Sequence, residues 1–251
     1  MRRSVLALCA AILSFMLSFT VPAHADEADD RESFVAANVL GIFYHELGHA
    51  LVDIEGIPIF GQEEDAADVF SIFLIDALFE EESAVEMARH AAFGFWAEAV
   101  LSEDEGFETA WWDVHGPDEQ RFYNTVCLFY GANPEARDDF AADLDLPEER
   151  AESCEEEYWL AAESWGPVLD EIAERDDGHE IDFVAGEGFA ADLLRDEIAE
   201  LNAGLRLAEP LRVSVEACDE PNAFYDPATV EIVFCAEFED HLRALYDLIE
   251  P

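Results

Sequence analysis

Residues 43–53 read FYHELGHALVD, and no other stretch constrains the chain so tightly. His45 and His49 stand four apart with Glu46 directly after the first, the H-E-x-x-H pattern. On a helix the two imidazoles lie one turn apart on one face, close enough to reach a single ion. At 3.6 residues per turn Glu46 is rotated about 100° from His45, so it is better placed to hold a water on that ion than to ligate it. The fold must therefore bring a third ligand to this face and leave one position open. The segment GQEEDAADVF offers one in Glu64, with Glu63 and Asp65 as adjacent alternatives. Asp68 shares the Glu64 face of its helix and can accept a hydrogen bond from the far nitrogen of a ligand histidine. Asp53, one turn past His49, can serve His49 in the same way.

The patterning predicts a mainly α chain of the α+β class. A helix runs from near Asp29 to Ile54, with Glu32 as a capping-box partner and Gly56 and Pro58 as its stop. Further helices are predicted at about 63–79, 83–101, 119–131, 149–174, 188–203 and 237–249. Residues 104–119, DEGFETAWWDVHGPDE, read as loop-like, and ARDDFAADLDLPEE reads as an acidic link. β pattern is confined to LRVSVEA and ATVEIVF, which alternate and are rich in Val and Ile. With PNAFYDP joining them they predict a small C-terminal hairpin.

Arg2 and Arg3, the apolar run from Val5 to Val21 and the PAHA that follows describe a signal peptide, residues 1–25. A retained anchor is the alternative. Residues 26–251 are then expected to be a single exported domain, periplasmic or secreted, with no membrane span. Cys9 leaves with the leader. The remaining Cys127, Cys154, Cys218 and Cys235 are an even set, for which three connectivities are possible. Pairing sequence neighbours gives Cys127–Cys154 and Cys218–Cys235. No C-x-x-C spacing favours a cysteine metal site.

The chain has no lysine, and its formal charge of −48 becomes −50 once Arg2 and Arg3 are removed. Such a field repels nucleic acid and anionic membranes, so neither is an expected partner. It can attract cations, but acids spread over most of the chain also read as a solvated surface that remains soluble in salt.

HELGH followed by EDAAD resembles the gluzincin zinc peptidases, in which H-E-x-x-H and a later glutamate bind zinc. Residues 26–251 also resemble a family of bacterial exported proteins described as metallopeptidases, through HELGHALVD, GQEEDAADVF, DEQRFYNTVCLFYG and the CDEPNAFYDP…IVFC region. The resemblance implies a zincin-like core, Zn2+ held by His45, His49 and Glu64, a peptide or protein substrate, and Glu46 as general base. Most zincins place a sheet before the active-site helix, and residues 26–44 are too few for one. NAFYDPATVEIVF, however, resembles the segment that neprilysin-like peptidases place before their H-E-x-x-H. A permuted arrangement would have the C-terminal hairpin supply the substrate edge, with Asn222 and Ala223 facing the peptide; a plain disulfide-closed turn is the alternative.

A developing oxyanion needs a donor besides the metal. WWDVHGPDEQRFY offers His115 first, then Tyr123, with Arg121 as a substrate-binding candidate. Arg121 can equally pair with an acid, and Tyr123 can be core. His90 reads as packed, and His179 and His241 as solvent-facing. Two further classes of function stay open: a catalytically inactive zinc-binding module, and an acidic structural protein with an accidental motif.

Overall fold

A computed structural model describes residues 23–249. Most of the expected signal segment lies outside them. Helix α1 (Ala23–Ile54) begins upstream of the expected Asp29. Phe34, Val35, Val39, Phe43, Leu47 and Leu51 are all buried, which marks α1 as the central helix of the core rather than a surface one. Around it pack α2 (Glu63–Leu78), α3 (Glu81–Glu105), α7 (Phe189–Gly204) and α8 (Glu237–Ile249). An outer layer is formed by α4 (Asp118–Ala132), the short α5 (Asp138–Asp143) and α6 (Glu148–Glu174). Among the described residues no helix is long and apolar enough to cross a membrane.

The turn after α1 decides what its histidines meet. Gly56 adopts φ +64°, its amide bonds the Asp53 carbonyl at 3.2 Å, and the Ile57 amide bonds the Val52 carbonyl at 2.9 Å. This pair of bonds is the Schellman cap, and only glycine takes its left-handed position without a Cβ penalty. The chain is sent back so that α2 runs antiparallel along α1. A Cβ at Gly48 would lie 3.1 Å from the Ala67 Cα, so the bare backbone at Gly48 lets the two helices approach closely.

The chain is mainly α with one small sheet, as the pattern implies, but the sheet is not a simple hairpin. Four strands, β1 (Ile181–Ala185), β2 (Leu211–Glu216), β3 (Ala223–Asp226) and β4 (Glu231–Cys235), lie in the order β1-β2-β4-β3. β2 runs parallel to both β1 and β4, and β3 pairs antiparallel with β4. The expected pairing of LRVSVEA with ATVEIVF as hairpin partners is therefore corrected to a parallel one. PNAFYDP is not their connector but contains the edge strand. Alternation tells which face of a strand is buried, not which strand pairs with it. Parallel neighbours also need a crossover of about a dozen residues, which 217–230 supplies. Two short elements escaped the pattern altogether: β1, and α5 inside the segment read as a link.

Both cysteine pairs sit at disulfide distance. Cys127 and Cys154 tie α4 to α6 with Cα atoms 5.1 Å apart; Cys218 and Cys235 tie the segment after β2 to the end of β4 at 5.4 Å. Beside the first pair the helices nearly touch: a Cβ at Gly131 would lie 2.1 Å from the Cys154 carbonyl oxygen. Replacing Gly131 with alanine should therefore force α4 and α6 apart despite alanine's better helix propensity. The expected cost is about 1–3 kcal/mol, read as a lower midpoint in chemical denaturation of the oxidised protein. An unchanged midpoint would show that the crossing is not close-packed in solution.

Candidate functional site

α1 and α2 meet with three donor atoms converging on one point. His45 Nε2 lies 3.2 Å from His49 Nε2, and Glu64 Oε2 lies 3.2 Å from the first and 3.1 Å from the second. The outward nitrogens are both held by carboxylates: His45 Nδ1 by Asp68 at 2.7 Å and His49 Nδ1 by Glu63 at 2.7 Å. A ring that donates from Nδ1 to a carboxylate has, in its neutral form, a bare lone pair at Nε2. Two such lone pairs and a carboxylate oxygen cannot face one another this closely without a proton or a cation between them. A tetrahedral zinc with bonds of about 2.0–2.1 Å would set its ligand atoms about 3.3–3.4 Å apart. The observed separations are within a few tenths of an ångström of that, so the donor set fits a metal of this kind.

Electrostatics describe the same balance without an ion. Burial opposes the charged form of His45, but hydrogen bonds to Asp68 and Glu64 outweigh it and raise its pKa to about 9. His49 is likewise raised, against burial, by Glu64 and Glu63. Glu64 is held far below the usual carboxylate range, first by His115 and then by His45 and His49. Asp68 is also held low, Arg121 and His45 outweighing its burial.

Arg121 explains how Asp68 is fixed. Its guanidinium forks onto the carboxylate, Nε to Oδ2 at 2.8 Å and Nη2 to Oδ1 at 2.7 Å, and its Cζ sits 4.1 Å over the Phe95 ring. The arginine expected at the substrate thus grips the carboxylate that orients His45, a third layer of the site built from α4. Such outer partners fix the ring's tautomer and aim. Asp53 is displaced from its expected role: Glu63 holds His49, while Asp53 accepts from the Tyr225 hydroxyl at 2.7 Å. Glu63 was visible in the sequence only as an alternative ligand beside Glu64.

His115 comes from the loop before α4. Its Nε2 is 2.9 Å from Glu64 Oε2 and its Nδ1 is 3.4 Å from Asp113. Ligand atoms of His45, Glu64 and His115 all lie within 4.8 Å of one another. Tyr123 is not brought to this point; it packs edge-on against Phe122, ring centroids 5.0 Å apart, against the core. His241, expected at solvent, instead meets Glu98 at 2.7 Å.

The C-terminal sheet presents its edge to the same centre. A cleft of about 800 Å³ has His45, Glu46 and His49 on one side and Asn222, Ala223 and Tyr225 on the other. The Cys235 amide bonds the Asn222 carbonyl at 2.9 Å. By antiparallel alternation Phe224 then faces β4 with its backbone groups, while those of Ala223 and Tyr225 point to the free edge. Within this edge Asn222 Oδ1 accepts from the Ala223 amide at 2.9 Å. Glu46 is buried, which raises its pKa against the pull of His45 and His49, and its carboxylate accepts the Tyr225 amide.

The chain belongs to the DUF4344 family, described as "Putative metallopeptidase", which matches residues 2–169 and 185–248. That description carries a metal ion and a peptide substrate. No curated protein and no solved structure matches the chain.

Metal analysis of the purified protein should find one divalent metal ion per chain, lost in His49→Ala and in Glu64→Ala. Asp68→Asn should keep the metal but weaken its affinity by about 10–100-fold, read by competition with a chromophoric chelator. Metal retained at full affinity in Glu64→Ala would remove that residue from the ligand set. Because the raised pKa of His45, about 9, leaves a proton on the ion-free centre at neutral pH, a metal ion that binds there must displace it. Affinity should rise with pH toward that value and level off above it. Calorimetry in buffers of different ionisation enthalpy should find at least about one proton released per metal ion; none released would contradict the charge balance described above.

Proposed function

We propose that the chain is an exported zinc-dependent peptidase with a zincin-like core in a single domain, residues 26–251. His45, His49 and Glu64 are its metal ligands and Glu46 its general base. The observation that carries this reading is the pair of facing Nε2 atoms, each ring backed by a carboxylate, with Glu46 beside them on the wall of a cleft. The signal-like leader and the two cysteine pairs, which suit an oxidising compartment, support export.

A zinc ion bound here would polarise the scissile carbonyl and acidify the attacking water. Glu46 accepts the proton from that water and passes it to the leaving amine. Its buried position supports this role, since a carboxylate with a raised pKa is the better proton acceptor and donor near neutral pH. The free edge of β3 receives the substrate backbone as an added strand, with Asn222 and Ala223 nearest the reacting bond. Tyr225 releases its amide from Glu46 when that carboxylate turns to the water. His115, backed by Asp113, donates to the oxyanion as it forms. Arg121 acts through Asp68 rather than on the substrate.

One observation favours a second reading, a zinc-binding module without turnover. If His115 ligates the metal together with His45, His49 and Glu64, four protein donors close the site, as in structural zinc centres.

Two variants separate these readings. In a peptidase, Glu46→Gln should keep one zinc and lose about 10²–10⁴-fold in turnover of a peptide library. His115→Ala should keep zinc affinity and lose about 10²–10³-fold in kcat. In a module, wild type cleaves nothing and His115→Ala loses zinc. Full turnover by Glu46→Gln would sink the peptidase mechanism.

A further inference from the structure

A second cavity leads from the metal centre into the protein instead of along the cleft. It encloses about 260 Å³, and His45, Glu46, His115 and Ala223 stand at its mouth. Its body is walled mainly by apolar groups, among them Ile42 of α1, Phe95 of α3 and Leu242 and Leu245 of α8, with the polar Ser71 and Thr125 between them. A dry apolar cavity of about 150 Å³ is enough to hold a benzene ring, so this one has room for a phenyl or branched aliphatic group.

The hollow is kept open by small residues where α1 faces α3. A Cβ at Gly94 would lie 1.9 Å from Asn38 Oδ1. The Asn38 amide is itself pinned to the carbonyls of Phe34 at 2.9 Å and His90 at 3.0 Å. That wall is therefore fixed. Gly41 differs: a Cβ there would meet nothing closer than Ala91 Cβ at 3.8 Å and Ser71 Oγ at 4.0 Å, both on the cavity lining. A side chain fits at Gly41 without strain, and it would occupy space that is now open. The carboxylates on the wall do not call for a basic guest, because Glu98 is paired with His241 at 2.7 Å and Asp118 faces Arg121 at 3.9 Å.

We infer that this cavity receives a large apolar side chain, of the phenylalanine or leucine class, from the substrate residue next to the cleaved bond, and that Gly41 sets its depth. The inference rests on the peptidase reading, since it names the substrate class for that site. A peptide laid on the edge of β3 with its scissile bond at Glu46 has this opening directly beside it.

The test is to digest a mixed peptide library with the zinc-loaded full-length protein and map the cleaved bonds by mass spectrometry. Phe, Leu and Met should flank those bonds at least about 10-fold more often than Ala, Lys or Asp, since apolar pocket contacts of this size discriminate by about 10–200-fold per methylene. Gly41→Ala, which improves helix propensity, should shift the preference from Phe toward smaller residues by a similar factor. Ala91→Leu should do the same from the opposite wall. A wild-type preference for Lys or Arg, no preference, or an unchanged profile in both variants would overturn the inference. Binding of N-acetyl-Phe-amide against N-acetyl-Ala-amide to zinc-loaded Glu46→Gln gives a readout that needs no turnover. Should no library peptide be cut, the peptidase reading fails; selective Phe binding lost in Gly41→Ala would still uphold the pocket, and unselective binding would remove it as well.

Discussion

Everything around the candidate centre depends on one close approach, the crossing of α1 and α2 at Gly48 and Ala67. It sets two imidazoles and a glutamate at mutual distances of 3.1–3.2 Å, a cluster of lone pairs that is unfavourable unless a positive charge is shared among them. Hydrogen-bonded charges in a half-buried site interact more strongly than at the surface, for better or worse. The surroundings are arranged accordingly. Asp68 and Glu63 hold the outer ring nitrogens, and Arg121 holds Asp68. Each layer fixes the direction of the one inside it, so the inner nitrogens have little freedom to turn away.

The same chain has far more acid than base, and several of its few arginines tie separate helices together. Arg243 of α8 forks onto Glu32 of α1, and Arg175, just after α6, forks onto Glu55, the first residue after α1. Arg137 is almost wholly buried; it meets Asp76 and Glu81 and lies 3.7 Å over the Phe129 ring. Guanidinium suits these positions better than ammonium, because it binds carboxylates through two parallel bonds and stacks on aromatic faces. Exposed pairs in such a chain contribute little each. The buried ones hold the helices around α1 in register and thereby hold the centre.

The sheet and the centre meet although they lie far apart in sequence. β3 reaches α1 because β4 is carried beside β2 by a crossover, and the Cys218–Cys235 bridge closes that crossover near its base. The strand so delivered has one edge paired and one edge free, and the free edge faces Glu46. α8 then folds back along α1 and α3 and completes the apolar cavity beside the histidines.

Much of this was legible in the chain itself. The helical spans, the H-E-x-x-H face and the glycine stop at Gly56 follow from spacing, because each is a local rule acting over a few residues, whereas parity implies two cysteine pairs without saying which cysteines join. The Glu64 and Asp68 positions also follow from spacing, since i,i+4 carboxylates share a helix face. What the pattern left open, or in the strand pairing got wrong, were choices between partners. Glu63 rather than Asp53 at His49, Arg121 on Asp68 rather than on substrate, Tyr123 in the packing rather than the cleft, and β2 parallel to β4 rather than paired in a hairpin all depend on what lies across from a residue. Periodicity states which side of an element is buried, and an acid-rich chain offers several carboxylates at every turn. Which of them meets a given histidine is decided only when the backbones approach, by ångström-scale separations at Gly48, Gly131 and the free edge of β3.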